Sequence, residues 1–150
     1  MHRRTMLLLT MVLTTVLFGV IGCGKAPDPK LAEDSKVQEA QAKVAYKILV
    51  PTFLPDRYAL DGVKVDEKSN VALTFKGPEN GSFVIDYAPG TVALTGPVEK
   101  VAIKDFQAQY LEQNGTRKLA WQTADKATIT IITGSLDRSS MLALARSMAR

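Results

Sequence analysis

The chain has 150 residues, 46% of them hydrophobic, with 19 Lys and Arg against 15 Asp and Glu and a formal net charge of +4 at pH 7. Its one histidine, His2, and its one cysteine, Cys23, lie near the start, so the remainder can build no disulfide, no Ser-His-Asp or Cys-His catalytic set and no histidine-rich zinc site. No block of Lys and Arg reads as a patch for nucleic acid or anionic lipid, and the length suits one domain with a moderate core.

His2, Arg3 and Arg4 give a basic beginning, Met6 to Ile21 an apolar stretch with threonines, and Gly22 a small residue before the thiol. Together these read as a bacterial secretory signal of the lipoprotein kind. The run Val20-Ile21-Gly22-Cys23 resembles the lipobox of bacterial lipoproteins. That resemblance implies recognition of Val20, Ile21 and Gly22 by the lipoprotein signal peptidase, cleavage before Cys23, and a lipid on the Cys23 sulfur with acylation of the new amino terminus. The expected address is the cell envelope, on the outer face of the inner membrane or on an outer membrane where there is one. A plain signal peptide with a chance cysteine and an uncleaved membrane helix are the alternatives. The run from Met6 to Gly22 falls short of the ~20 apolar residues that span a bilayer, and an exported free thiol is an exposed reactive group. A single myristoyl-length chain binds membranes with an association constant of only ~10⁴ M⁻¹, so several acyl chains make such an anchor durable. Without Arg3 and Arg4, 17 basic residues face 15 acidic ones, and the expected mature chain is close to neutral.

Residues 1–22 thus read as signal, 23–35 as lipidated cysteine and tether, and 36–150 as a single domain. Gly24-Lys25-Ala26-Pro27-Asp28-Pro29-Lys30 has prolines, charges and no apolar period, and the dozen residues to Ser35 reach about 40 Å at ~3.3 Å each when extended. From Val37 to Tyr46, the spacing of Val37, Ala40 and Val44, continued by Ile48, predicts a short amphipathic helix ended before Pro51. Val50-Pro51-Thr52-Phe53-Leu54-Pro55 is a rigid extended corner expected to insert Phe53 and Leu54 into the body.

Strand-like runs follow at Tyr58 to Val65, Val71 to Lys76, Ser82 to Ala88, Glu99 to Lys104, Phe106 to Glu112, Lys118 to Thr123 and Ala127 to Thr133. Turn residues punctuate them: Gly77-Pro78-Glu79-Asn80-Gly81, Asn114-Gly115 and Ala124-Asp125-Lys126. Short joints force neighbouring strands antiparallel, which predicts a meander and argues against a doubly wound parallel sheet. At the end, Asp137 suits an N-cap. Met141, Leu142, Leu144, Ala145 and Met148 fall on one helical stripe, with Arg146 and Arg150 where the dipole favours cations. The stripe suits a lid on the sheet, a single sheet having one apolar face to cover, or else a surface for membrane or partner.

The corner from Val50 to Tyr58, the hairpin-rich middle, Leu119-Ala120-Trp121, the strand to Gly134 and the closing Leu142-Ala143-Leu144-Ala145-Arg146-Ser147-Met148 are together similar to a bacterial envelope domain of unknown function. That domain carries a "P-x-x-L-P-x-x-Y" corner, a leucine-x-tryptophan strand and a last helix ending "L-x-x-A-x-S-L". In its relatives it is appended to outer-membrane lipoprotein-sorting-like proteins and to anti-sigma-factor regulators. The resemblance covers about Gln38 to Arg150, and it brings no catalytic residues.

No catalytic role, cofactor or metal is expected. Gly77, Gly81, Gly90 and Gly96 lie between strands, where no phosphate loop forms. Asp61, Asp66 and Glu67 could collect a hard cation, although scattered acids are usually solvated. Alternation sets Phe83, Ile85 and Tyr87 on one face and leaves Ser82, Val84 and Asp86 on a wet one. Leu119, Trp121 and Thr123 read as a core face, and so do Phe106, Ala108 and Tyr110, which alternate with Gln107, Gln109 and Glu112. The expectation is an α+β domain: a twisted antiparallel meander packed by a C-terminal helix and flanked by a short N-terminal one. Functionally it reads as a non-enzymatic, lipid-anchored envelope protein held to the membrane through Cys23. It would bind a protein partner or sense the envelope, with a carrier of an apolar ligand such as lipid as the alternative. No nucleic acid is implied.

Overall fold

A computed structural model describes residues 30–149, so the expectations for Val20, Ile21, Gly22, Cys23 and Arg150 lie outside the described residues. The fold is α+β, with one open seven-stranded antiparallel sheet and two α-helices. Helix α1 spans Ser35–Gln41. The strands are β1 (Ala59–Val65), β2 (Val71–Lys76), β3 (Ser82–Pro89), β4 (Glu99–Ile103), β5 (Phe106–Gln113), β6 (Thr116–Gln122) and β7 (Ala127–Thr133), and helix α2 spans Arg138–Met148.

Side-chain alternation divides the sheet into two faces. On one, Val71, Leu73 and Phe75 of β2 stand opposite Tyr87, Ile85 and Phe83 of β3, and β3 in turn sets Ile85 beside Ile131 and Tyr87 beside Ile129 of β7. Phe75 and Phe83 stack with ring centroids 4.5 Å apart. Leu119 and Trp121 of β6 continue the row against Ile131 and Ile129. Met141, Leu144, Ala145 and Met148 of α2, with Val37 and Ala40 of α1, belong to the same buried cluster. A stripe every three to four residues meets a face of every second residue, and the large apolar side chains interleave between them.

Local chemistry sets the ends of these elements. The Asp137 carboxylate accepts from the Ser140 backbone N–H at 2.8 Å, which starts α2, and Lys104 Nζ donates to the Ala149 carbonyl at its other end. The two-residue turn Asn114-Gly115 joins β5 to β6 with both residues at positive φ, 51° and 74°, the twist a tight hairpin requires.

Three expectations need correction. Helix α1 stops at Gln41 rather than Tyr46 because the Gln41 carboxamide turns to the chain ahead. It donates to the Tyr46 carbonyl and accepts from the Ile48 N–H, both at 2.8 Å, and the residues between turn and bend instead of continuing the helix. Phe53 does not insert; it is 39% exposed, while Leu54 lies partly buried against the core. The meander is interrupted. The strand order is β1-β2-β3-β7-β6-β5-β4, so β3 pairs with β7, and the chain must cross three strands to begin β4 at the far edge.

Candidate functional site

The residues that carry the crossing, Gly90 to Val98, lie across the face of the sheet opposite α2, the face of Ala72, Asp86, Lys118 and Thr130. They are tied there by side chains pointing outward from the strands. Thr128 Oγ1 donates to the Gly90 carbonyl at 2.6 Å and accepts from the Val92 N–H at 3.0 Å. Gln109 Oε1 accepts from the Leu94 N–H at 3.0 Å. Gln122 Nε2 donates to Thr91 Oγ1 at 2.7 Å. No strand ladder holds this segment; side-chain amides and a hydroxyl strap it down, together with the Gly90 N–H donating to the Lys126 carbonyl at 2.9 Å.

Between the strap and the strands lies a cleft of about 640 Å³, walled by Val92, Ala93, Leu94 and Thr95 on one side and floored by Ala72, Asp86, Thr130, Ile132, Leu111 and Lys118. Lys64 stands at its rim. Its size falls in the range of small-molecule sites, and its lining combines apolar side chains with a few charged ones. Asp86, expected on a wet face, is instead half-buried on the cleft floor. Burial lifts its carboxyl above the ordinary value, and the Lys118 charge only partly opposes this. No donor among the described residues bonds the Asp86 carboxylate, and neither Lys118 nor Lys64 forms a salt bridge among them.

The other candidates are dispersed or structural. Asp61 pairs with Lys76 at 3.1 Å. Asp66 closes the β1–β2 turn, accepting from the Lys68 and Asn70 N–H groups and from Asn70 Nδ2, and these bonds, the side-chain one foremost, hold its carboxyl below the ordinary value. Among the described residues no three His, Cys, Asp or Glu side chains are placed to hold a metal ion. Trp121 is 3% exposed on the α2 side, with Ala108 and Tyr110. Tyr110 donates to Glu112 Oε2 at 2.9 Å and lies under the Arg138 guanidinium, 4.8 Å from the ring centre. Arg138 also meets Glu99 at 2.6 Å, and Arg117 bonds both Glu112 and the Leu136 carbonyl at 2.9 Å. This network clasps the start of α2 to β4, β5 and β6.

Strand periodicity does not announce the cleft, but two signals for it are present in the sequence. The connection between the third and fourth strand runs is the longest between strands. Its Val92-Ala93-Leu94 triplet, bracketed by Gly90 and Gly96, is too apolar for a solvated loop. No family model, no curated protein and no solved structure matches this chain.

Proposed function

We propose that the chain is a non-enzymatic lipoprotein of the bacterial cell envelope, held by a lipid on Cys23, that binds a protein partner through the open face of its sheet. The observation that supports this reading is the difference between the two faces. The α2 side is filled by wholly buried side chains, whereas the opposite side carries a strapped cleft beside the exposed apolar Val92 and Val98. Surface apolar groups beside a cleft of this kind favour contact with another molecule. The basic start, the apolar run and Val20-Ile21-Gly22-Cys23 support the anchor and the envelope address. Among the described residues no helix is long and apolar enough to cross a membrane. The similarity of the proline corner and last helix to a domain of envelope regulators and sorting-like proteins supports the same setting. A second reading, a carrier of an apolar ligand, draws on the volume of the cleft; the filled layer between sheet and helix weighs against it.

Two measurements test the proposal. Cys23→Ser should abolish incorporation of labelled fatty acid, and unchanged labelling would remove the anchor. A photoreactive amino acid at Val92 should crosslink a discrete partner in intact cells, while the same probe at the exposed Arg146 on α2 should not. Equal crosslinking from both positions would remove the open face as the binding face.

A further inference from the structure

Three features of the cleft are unbalanced. Asp86 is half-buried with no hydrogen bond, and Lys118 and Lys64 have no ion-pair partner among the described residues. The fourth charged group at the rim, Asp66, is occupied by its own turn. The Asp86 oxygens are open to water and bonded by no protein donor, so they are available to a donor from a ligand. A cation alone would be repelled by the two lysines and an anion alone by Asp86, so the charges match a molecule bearing both signs.

The strand register sets the separation of those charges. Asp86 of β3 is opposite Thr130 of β7, Thr130 is opposite Ala120 of β6, and Lys118 lies two residues along β6 from Ala120. That offset, two strands across and two residues along, places the Asp86 and Lys118 Cα atoms about 12 Å apart. Both side chains line the same cleft and the Lys118 charge acts on Asp86, so the two charged groups share one small space. Ile132, Leu94 and Ala72 line the space with apolar surface. The volume, about 640 Å³, holds a molecule of small size and falls far short of a lipid with two acyl chains.

We infer that the cleft binds a short apolar peptide with free termini, its ammonium group against Asp86 and its carboxylate against Lys118. This goes beyond the partner-binding reading, and it is tested without a partner, so crosslinking and peptide binding fail separately.

The test is calorimetric titration of the full chain in detergent with leucyl-leucine, N-acetyl-leucyl-leucine, leucyl-leucinamide and O-phosphoethanolamine. Leucyl-leucine should bind saturably, and acetylation should weaken it about tenfold or more, the scale of one lost charge-assisted hydrogen bond. Asp86→Asn should weaken leucyl-leucine by a similar factor while leaving the acetylated peptide unchanged, and Lys118→Gln should do the same for the carboxylate, judged against leucyl-leucinamide. Lys118 is a partly exposed strand residue, so its replacement gives a reading independent of Asp86. Absence of saturable binding at millimolar leucyl-leucine, equal affinity for free and capped peptides, or unchanged affinity in both variants would overturn the inference. Binding of phosphoethanolamine as tight as that of the dipeptide would overturn the peptide assignment, because the bare headgroup chemistry would then suffice.

Discussion

Asp86 is a residue whose burial works against its own charge. Because burial lifts its pKa above the ordinary carboxylate value, the folded protein holds a proton there more readily than the unfolded chain does. Its favourable contribution is therefore complete below the ordinary carboxylate value and is lost as pH rises through the raised one. Asp86→Asn should melt at a higher temperature than the parent at pH 7 and at the same temperature near pH 3, by scanning calorimetry. A lower melting temperature at pH 7 would show that the carboxylate is compensated in the free protein. Gly77 tests sterics. A Cβ there would lie 2.6 Å from the Tyr58 ring, and that ring is pinned by its hydroxyl against Ser135 Oγ at 3.1 Å and packed on Phe83. Gly77→Ala should cost about 1–3 kcal/mol in urea unfolding, as overpacking does, and less than that when Tyr58→Leu is already present. Glycine at this position was readable as turn chemistry; its service to a tyrosine nineteen residues earlier was not, because only folding brings the two together.

Among the elements, α2 separates positions that a helical stripe treats alike. Leu144 is wholly buried, whereas Leu142 is only partly covered. Leu144→Ala should cost about 2–5 kcal/mol, and Leu142→Ala distinctly less, measured by thermal melting. Equal losses would mean that α2 is rotated from the orientation described. The N-cap adds a pH-dependent contribution. Hydrogen bonds from Ser140 and Ser139 hold the Asp137 carboxyl below the ordinary value, so the cap stabilises at neutral pH and weakens as pH falls through the depressed value. Asp137→Ala should lower the melting temperature at pH 7, as loss of an N-cap does, and change it little once the carboxyl is protonated. The strap from Gly90 to Val98 is an element of a different kind, held mainly by side chains, with one backbone bond from the Gly90 N–H to the Lys126 carbonyl. Its polar anchors are Gln109, Gln122 and Thr128; alternation set Gln109 opposite a core face but could not assign it a partner.

For the molecule as a whole, a filled core predicts one cooperative transition. Trp121, 3% exposed, should emit at short wavelength in the native protein and shift red in the same step that abolishes far-ultraviolet ellipticity; two separated transitions would contradict a single packed body. The elements themselves were legible in the chain. Period-two runs placed all seven strands to within two residues at their ends, because a strand on a half-buried sheet needs alternating apolar side chains. The stripe from Met141 to Met148 and the Asp137 cap marked α2 on equally local grounds. The lack of histidine and cysteine between residues 30 and 149 argued on composition alone against histidine- and thiol-based chemistry built from those residues. The order of the strands, and with it the site, was settled by tertiary packing. Short turns dictate which strands pair across them, but the connection from β3 to β4 is long enough to reach either a neighbouring or a distant edge, and nothing local to it chooses. Its choice of the far edge leaves β3 beside β7, draws the Gly90 to Val98 strap across the face opposite α2, and sets Asp86 and Lys118 on one cleft floor although thirty-two residues separate them in the chain. That placement is a long-range packing outcome, which residue periodicity does not encode.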